Sequence, residues 1–485
     1  MNATSSLARL PFPSPASLAL FALVLMAAGR LPAEDSPSGD ISFPPRSADF
    51  VPWRQQFYAY NLRTCGDIFR TTADHGQPWA KTAAHVLDDL SAYFTETPGA
   101  PSVTAVSAEA VEVCNAGCDD PMVLYACGLG YQAGQQFDQA AEAFAKAYER
   151  FKVSAYPAFR TLRCVGRLIG IRLMKERAAI SPQTEALRAE WIALGVRSLH
   201  EVSAKDAVAR QFYGNILGSA IDGDKATREL MHAALISEIA KGGIDSWLGE
   251  VVTAYAEIDR AWAARGGGYS NTVTEAGWKG FAEHLDQAET HFTAAWALDK
   301  TLAQAPAGMI TVCMGKSSGV AAERTWMNRA ISAQMDFTDA YANLFNAWLP
   351  RWDGTHAMIL ELGRKALATR AFDSGTPEIV LTALQTVARD LRDTKGDPNQ
   401  LWKDAQVWSD IQTLFDGLLK EPSRSAVRDW DLVRYAAYAW RCGRNDLVPG
   451  ILKRVTGTPD AELFRSIAHE TLDTVMKAAK GASDF

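Results

Sequence analysis

A chain of 485 residues with 48% hydrophobic and 22% charged side chains is long enough for a large core and has the composition of a folded, soluble protein. Its formal net charge of −7, with no strongly basic block, argues against a nucleic-acid binder held by phosphate neutralisation.

The chain opens on residues 16–29 (ASLALFALVLMAAG), an uncharged apolar run behind Arg9. A bilayer span needs about 20 such residues, so the run reads as the core of a secretory signal peptide over residues 1–29. Ala27 and Gly29 suit cleavage after Gly29, with Ala33 a second candidate, and no nearby cysteine offers a lipid anchor. The expectation is a periplasmic or extracellular protein with no integral membrane span once the signal is removed. Residues 30–52, rich in proline, serine and aspartate, are expected to be a flexible linker.

From Trp53 onward apolar residues recur with helical period, and alternating runs bounded by hairpin turns are missing. The expected fold is all-α, a tetratricopeptide-like α-solenoid of antiparallel helix hairpins. It divides into an N-terminal helical repeat region (53–240), a tetratricopeptide-like repeat region (241–395) and a C-terminal helical region (396–485). Five of the seven cysteines, Cys65, Cys114, Cys118, Cys127 and Cys164, fall early in the chain. In an oxidising compartment they support one or two disulfides, with an odd thiol left over. Cys127, Cys164, Cys313 and Cys442 sit in apolar helical patterns that suit a buried free thiol. Cys114 and Cys118 have no histidine near them and lack the ligands of a metal site.

The clearest unit is residues 121–151. Asp119 and Asp120 precede Pro121, the arrangement of a helix cap followed by proline in the first turn. Leu124, Cys127, Gly128 and Tyr131 mark one helix face; after Gly134, Phe137, Ala140, Ala141, Phe144, Ala147 and Tyr148 mark another. Small residues at Gly128 and Ala140 allow close approach while the aromatics fill the space around them. This pattern resembles the tetratricopeptide repeat, whose period is about 34 residues. A second stripe, Trp278, Phe281, Leu285, Ala288, Phe292 and Ala295, runs through 275–299, and Trp326, Ala330 and Ile331 repeat the theme in 320–336. Ala295, Ala330 and Ala366 are spaced by 35 and 36 residues. The breakers Gly242-Gly243, Gly266 to Gly268, Gly315 to Gly319, Asp353-Gly354 and Lys395 to Pro398 read as turns between helices in one continuous array.

Residues 261–373 contain Ala261-Trp262-Ala263-Ala264-Arg265-Gly266-Gly267-Gly268, then Thr272-Val273-Thr274-Glu275-Ala276-Gly277-Trp278-Lys279-Gly280-Phe281. Downstream come Arg324-Thr325-Trp326, Ala333-Gln334-Met335-Asp336-Phe337 and Pro350-Arg351-Trp352-Asp353-Gly354. In these motifs and their order the chain resembles a family of bacterial proteins that build tetratricopeptide-like helices around two recurrent loops. The resemblance covers about a third of the chain and implies a fold, since the family has no assigned activity. Asp353 stands where the family loop has a first glycine, a departure that puts any chemistry of that loop in doubt.

Three sets of candidate binding residues follow. Repeat geometry makes the first helix of a hairpin line a concave groove, which nominates Met122, Tyr125, Leu129 and Gln132. In the glycine-rich loop Arg265 would present its planar fork to a carboxylate or phosphate, Gly267 would allow close backbone approach, and Tyr269 and Trp278 would stack. The other reading of that loop is a wide turn, with Trp278 in the core. Arg351 and Trp352 form a third candidate surface, or else a turn covering the core edge. His284 and His291 share one helix face near Glu283 and Asp286, but without a third ligand they read as solvated side chains. No motif for a cofactor, a metal or a catalytic nucleophile occurs. The expected role is therefore an exported helical-repeat protein that recognises a protein or peptide. The alternative is a cell-envelope polysaccharide hydrolase or lyase using Glu275 or Glu283 beside the loop.

Overall fold

The structure is a computed structural model that describes residues 40–481 apart from 48, 177–179, 220–224, 269 and 353. The signal peptide, its cleavage site, Tyr269 and Asp353 lie outside the described residues. Among the described residues all regular structure is helical, with no strand. No helix there is long and apolar enough to cross a membrane.

The chain forms two compact units, one of residues 55–316 and one of residues 317–485 with the segment that ends at Arg54. The boundary between them falls within Gly315 to Gly319, a breaker cluster expected to be a turn between helices. The first unit contains α1 (Trp53–Thr64) from Gln55 onward, α2 (Gly66–Thr72), α3 (Ala80–Phe94), α4 (Val103–Asn115), α5 (Pro121–Ala133), α6 (Phe137–Phe151) and α7 (Ala158–Glu176). It continues with α8 (Pro182–Leu199), α9 (Ala207–Ser219), α10 (Lys225–Ala240), α11 (Ser246–Arg265), α12 (Glu275–Leu298) and α13 (Gln304–Gly315). From α3 to α8 each helix packs on the next in chain order; α11 then packs on α9, α10 and α12.

The expected unit at 121–151 is the α5–α6 hairpin. Asp120 starts α5 by accepting from the backbone N–H of Met122 (2.8 Å) and Val123 (3.2 Å), with Pro121 in the first turn. The helices close because Gly128 faces Phe144: a Cβ at Gly128 would stand 2.5 Å from the ring. Phe292 fills the same kind of gap against Gly308 in α12–α13, where the distance would be 2.2 Å. Ala295, Ala330 and Ala366 are all fully buried. The first two end their helices alike, the next helix end taking φ −151°, ψ 104° at Asp299 and φ −154°, ψ 100° at Gln334.

The second unit contains α14 (Val320–Ala333), α15 (Thr338–Ala347), α16 (His356–Ala368), α17 (Ile379–Asp393), α18 (Pro398–Trp402) and α19 (Ala405–Leu418). It ends with α20 (Arg428–Arg441), α21 (Val448–Leu452), α22 (Ala461–Ala468) and α23 (Leu472–Gly481). Trp402, Ile411, Leu414, Phe415, Leu432 and Tyr438 are at the centre of its core.

Of the linker expected at residues 30–52, residues 30–39 and 48 lie outside the described residues, and several of the others make specific contacts. Ile41 is buried, the Ser42 N–H donates to Asn328 Oδ1 (3.1 Å), Arg46 pairs with Asp373, and Trp53 stacks edge-on against Phe337 at 5.3 Å. Ile41, Phe43 and Phe50 are apolar anchors among the prolines and serines, and they hold an extended strap that needs no helix.

Arg54, just after this strap, reaches a buried charge network through Glu378 at 3.9 Å. Asp431 accepts from Arg424 (2.8 Å) and Arg434 (3.2 Å), and Glu378 accepts from the same two guanidiniums at 3.3 and 2.7 Å. Burial alone would raise the Glu378 carboxyl, but the charges of Arg434, Arg424 and Arg54 outweigh it and hold it below the usual carboxylate range. Removing Asp431 leaves the two buried guanidiniums to share the Glu378 carboxylate, with a positive charge no longer balanced. Asp431→Ala should therefore cost about 3–5 kcal/mol in urea unfolding.

The Asp120 cap behaves oppositely. Burial pushes its carboxyl up to about 6, against the opposing pull of the Val123 and Met122 N–H groups and the Tyr156 hydroxyl. The folded state therefore holds the proton more tightly than the unfolded chain, and this contribution to stability is lost as pH rises through about 6. Relative to Asp120→Asn, the parent chain should gain stability as pH falls from 7 towards 4, read from urea midpoints at each pH. A constant difference would refute the assignment.

Candidate functional site

The groove residues nominated from repeat geometry do not form an open surface. Met122, Tyr125 and Leu129 are exposed by only 1%, 4% and 7%, and Gln132 is half-buried. The cause is tertiary. Helices α3 and α4 precede the hairpin and pack on α5, bringing the Phe94 ring to 6.4 Å from that of Tyr125. Those three side chains are core.

The glycine-rich loop is different. Helix α11 runs to Arg265 and is stopped by Gly266, whose φ of +77° belongs to the left-handed region. A 3-10 turn at Ser270–Thr272 follows, and Thr274 caps α12 by accepting from the Gly277 N–H at 3.0 Å. The start of α12 lies hard against the end of α11. A Cβ on Gly277 would come within 2.9 Å of the Ala264 carbonyl oxygen, and one on Gly280 within 3.0 Å of the Ala264 methyl group.

This close approach builds an arginine cage. The Arg265 guanidinium carbon lies 5.6 Å from the Trp262 ring centroid and 5.4 Å from that of Trp278. Phe281 stands edge-on to both indoles, at 4.9 and 6.0 Å. Arg265 Nη1 donates to the Gly266 and Gly268 carbonyls at 3.2 and 3.1 Å. Among the described residues no carboxylate is within ion-pair distance. Burial alone lowers the pKa of Arg265 below the ordinary guanidinium value. Trp278 keeps 36% of its surface exposed while the rest of its stripe, from Phe281 to Ala295, is buried. It is therefore not the core tryptophan of the wide-turn reading. Gly267 is exposed on the same loop.

Arg351 and Trp352 form no comparable surface. Arg351 donates to Asp390 (2.9 Å) and Asn346 (3.2 Å), and Asp390 also pairs with His356 at 2.8 Å. Trp352 is half-buried and Gly354 is wedged against the Trp348 backbone, where a Cβ would stand 2.3 Å away. This is a turn tied to α17. His284 and His291 face α11, where each Nδ1 meets a carboxylate, Glu257 at 2.6 Å and Glu250 at 2.7 Å. Their separation on one face reflects two ties between helices. Glu275 and Glu283 are solvent-exposed, with Lys279 3.8 Å from Glu283, so neither has the desolvated setting of a catalytic acid.

One cluster escaped sequence reasoning. The ligand atoms of His85 and Asp89 on α3 and Glu109 on α4 lie within 4.8 Å of one another on the surface. Only the His85–Asp89 spacing of one helical turn is visible in the sequence; Glu109 arrives through the packing of α4. No known protein family matches the chain, and neither does any curated protein.

Proposed function

We propose that this is an exported tetratricopeptide-like helical-repeat protein that binds a peptide or protein partner through a carboxylate received at Arg265. Three features support the repeat reading: the chain-order packing of α3 to α8, the glycine-under-ring closure of α5–α6 and α12–α13, and the matched helix ends 35 residues apart at Asp299 and Gln334. Export rests on the apolar run at residues 16–29.

The observation that carries the binding reading is Arg265 itself. A guanidinium held by two carbonyl oxygens and two indole faces is fixed in direction but not neutralised. A planar carboxylate can accept two parallel N–H bonds from such a fork, and the half-exposed Trp278 ring offers an apolar wall beside it. Peptide recognition fits this pairing of one oriented charge with an aromatic platform.

The test is titration of the protein with peptides selected from a displayed library, each prepared both as free acid and as C-terminal amide, followed by Trp278 fluorescence and calorimetry. Arg265→Gln should weaken free-acid binding about tenfold or more, and Trp278→Ala should weaken it and remove the fluorescence change. Equal affinity of acid and amide, or an unaffected Arg265→Gln variant, would overturn the proposal.

A further inference from the structure

The thiols of Cys114 and Cys127 lie opposite one another across α4 and α5, with their Sγ atoms 3.6 Å apart. The register that brings them together is set by packing. Gly130 on α5 faces Ser107 on α4 so closely that a Cβ there would stand 1.9 Å from the Ser107 hydroxyl, and that hydroxyl donates to the Cys127 carbonyl at 3.3 Å. Cys114 occupies the last turn of α4 and is partly exposed, whereas Cys127 is buried. The remaining cysteines of the early cluster, Cys65, Cys118 and Cys164, are all buried.

We propose that Cys114 and Cys127 are an oxidisable dithiol that closes to a disulfide between α4 and α5, with Cys114 as the entry thiol and a small-molecule disulfide as oxidant. The inference rests on the α4–α5 packing and is independent of the partner reading. Bond formation requires the sulfurs to approach to about 2 Å, within reach of side-chain rotation when the helices are already in place.

The chemistry balances as two exchanges. The Cys114 thiolate attacks one sulfur of the oxidant, forming a mixed disulfide and releasing one thiolate. The Cys127 thiolate then attacks Cys114 Sγ, forming the intramolecular bond and releasing the second. Two thiols of the protein are oxidised and one disulfide is reduced to two thiols; the two protons leave to water or to the departing thiolates. The Cys114–Cys127 hydrogen bond favours this order, since it lowers the Cys114 thiol below its ordinary value and, together with burial, raises that of Cys127.

The experiment equilibrates the full chain with mixtures of reduced and oxidised glutathione, blocks free thiols with iodoacetamide and maps the peptides. No lysine or arginine lies between Cys114 and Cys127, so cleavage at Asp119 and Asp120 is needed to separate them. The expected result is a cross-linked peptide pair, two fewer alkylated thiols, and a melting temperature raised by about 5 °C over the reduced protein. Cys114→Ser should abolish the link and the shift, while Cys118→Ser should retain both. If both thiols stay alkylated in fully oxidised glutathione, or the link survives Cys114→Ser, the proposal fails. Circular dichroism of each variant separates loss of the link from loss of the fold.

Discussion

The distance between neighbouring helices is the constraint from which the other features of this protein follow. It is set by glycines placed beneath aromatic rings. Phe144 over Gly128, Phe292 over Gly308 and Phe372 over Gly417 each occupy space that a single methyl group would fill. Such a ring makes many weak dispersion contacts that all weaken together, by about a quarter to a half, if the helices separate by about 0.5–1 Å, so the spacing is stiff. Stiff spacing fixes register, and register decides which polar groups meet. Gly130 against Ser107 brings Cys114 to Cys127. Gly277 and Gly280 against Ala264 bring Trp278 beside Arg265. The candidate site and the thiol pair are two products of one packing rule.

That rule explains which parts of the molecule could be read from the sequence. Local signals proved sufficient for the limits of some helices. Asp120-Pro121 marks the start of α5, Phe137 to Phe151 is α6, and the stripe beginning at Glu275 is α12. Of the seven tryptophans on apolar stripes, Trp191, Trp247, Trp326 and Trp348 are buried, whereas Trp262, Trp296 and Trp440 are half-buried. The misreadings arose wherever a distant element decided the outcome. Met122, Tyr125 and Leu129 have the periodicity of a groove, but α3 and α4 cover them. Residues 40–52 have linker composition, but a handful of apolar residues and the Arg46–Asp373 pair pin them down. The unit boundary within Gly315 to Gly319 has the same breaker chemistry as the turns inside each unit, so composition could not single it out.

The candidate site was legible in part. Three glycines after Arg265 announced an unusual helix end, and Trp262 and Trp278 were visible nearby in the sequence. What the sequence could not supply was the state of the arginine. Spacing alone does not say whether a carboxylate reaches it, because several of the carboxylates that neutralise arginines here come from remote positions. Asp245 and Asp299 serve Arg210, Glu378 serves Arg424 and Arg434, and Asp390 serves Arg351.

The comparison among these arginines bears on why Arg265 is where it is. Arg210, Arg424 and Arg434 lie in the interior, and each satisfies its fork with carboxylate oxygens. Charge and desolvation are offset within the fold, as a purely structural arginine requires. At Arg265 the carbonyls of Gly266 and Gly268 satisfy donors without cancelling the charge, while burial works against the cation. As a wedge between Trp262 and Trp278, a long neutral side chain would fill the same space without that desolvation cost. The guanidinium head does contact both rings and two loop carbonyls, but none of these contacts cancels its charge. On the proposed binding reading, it is this unneutralised, oriented positive charge that would receive an incoming anion, in a chain whose net charge is −7.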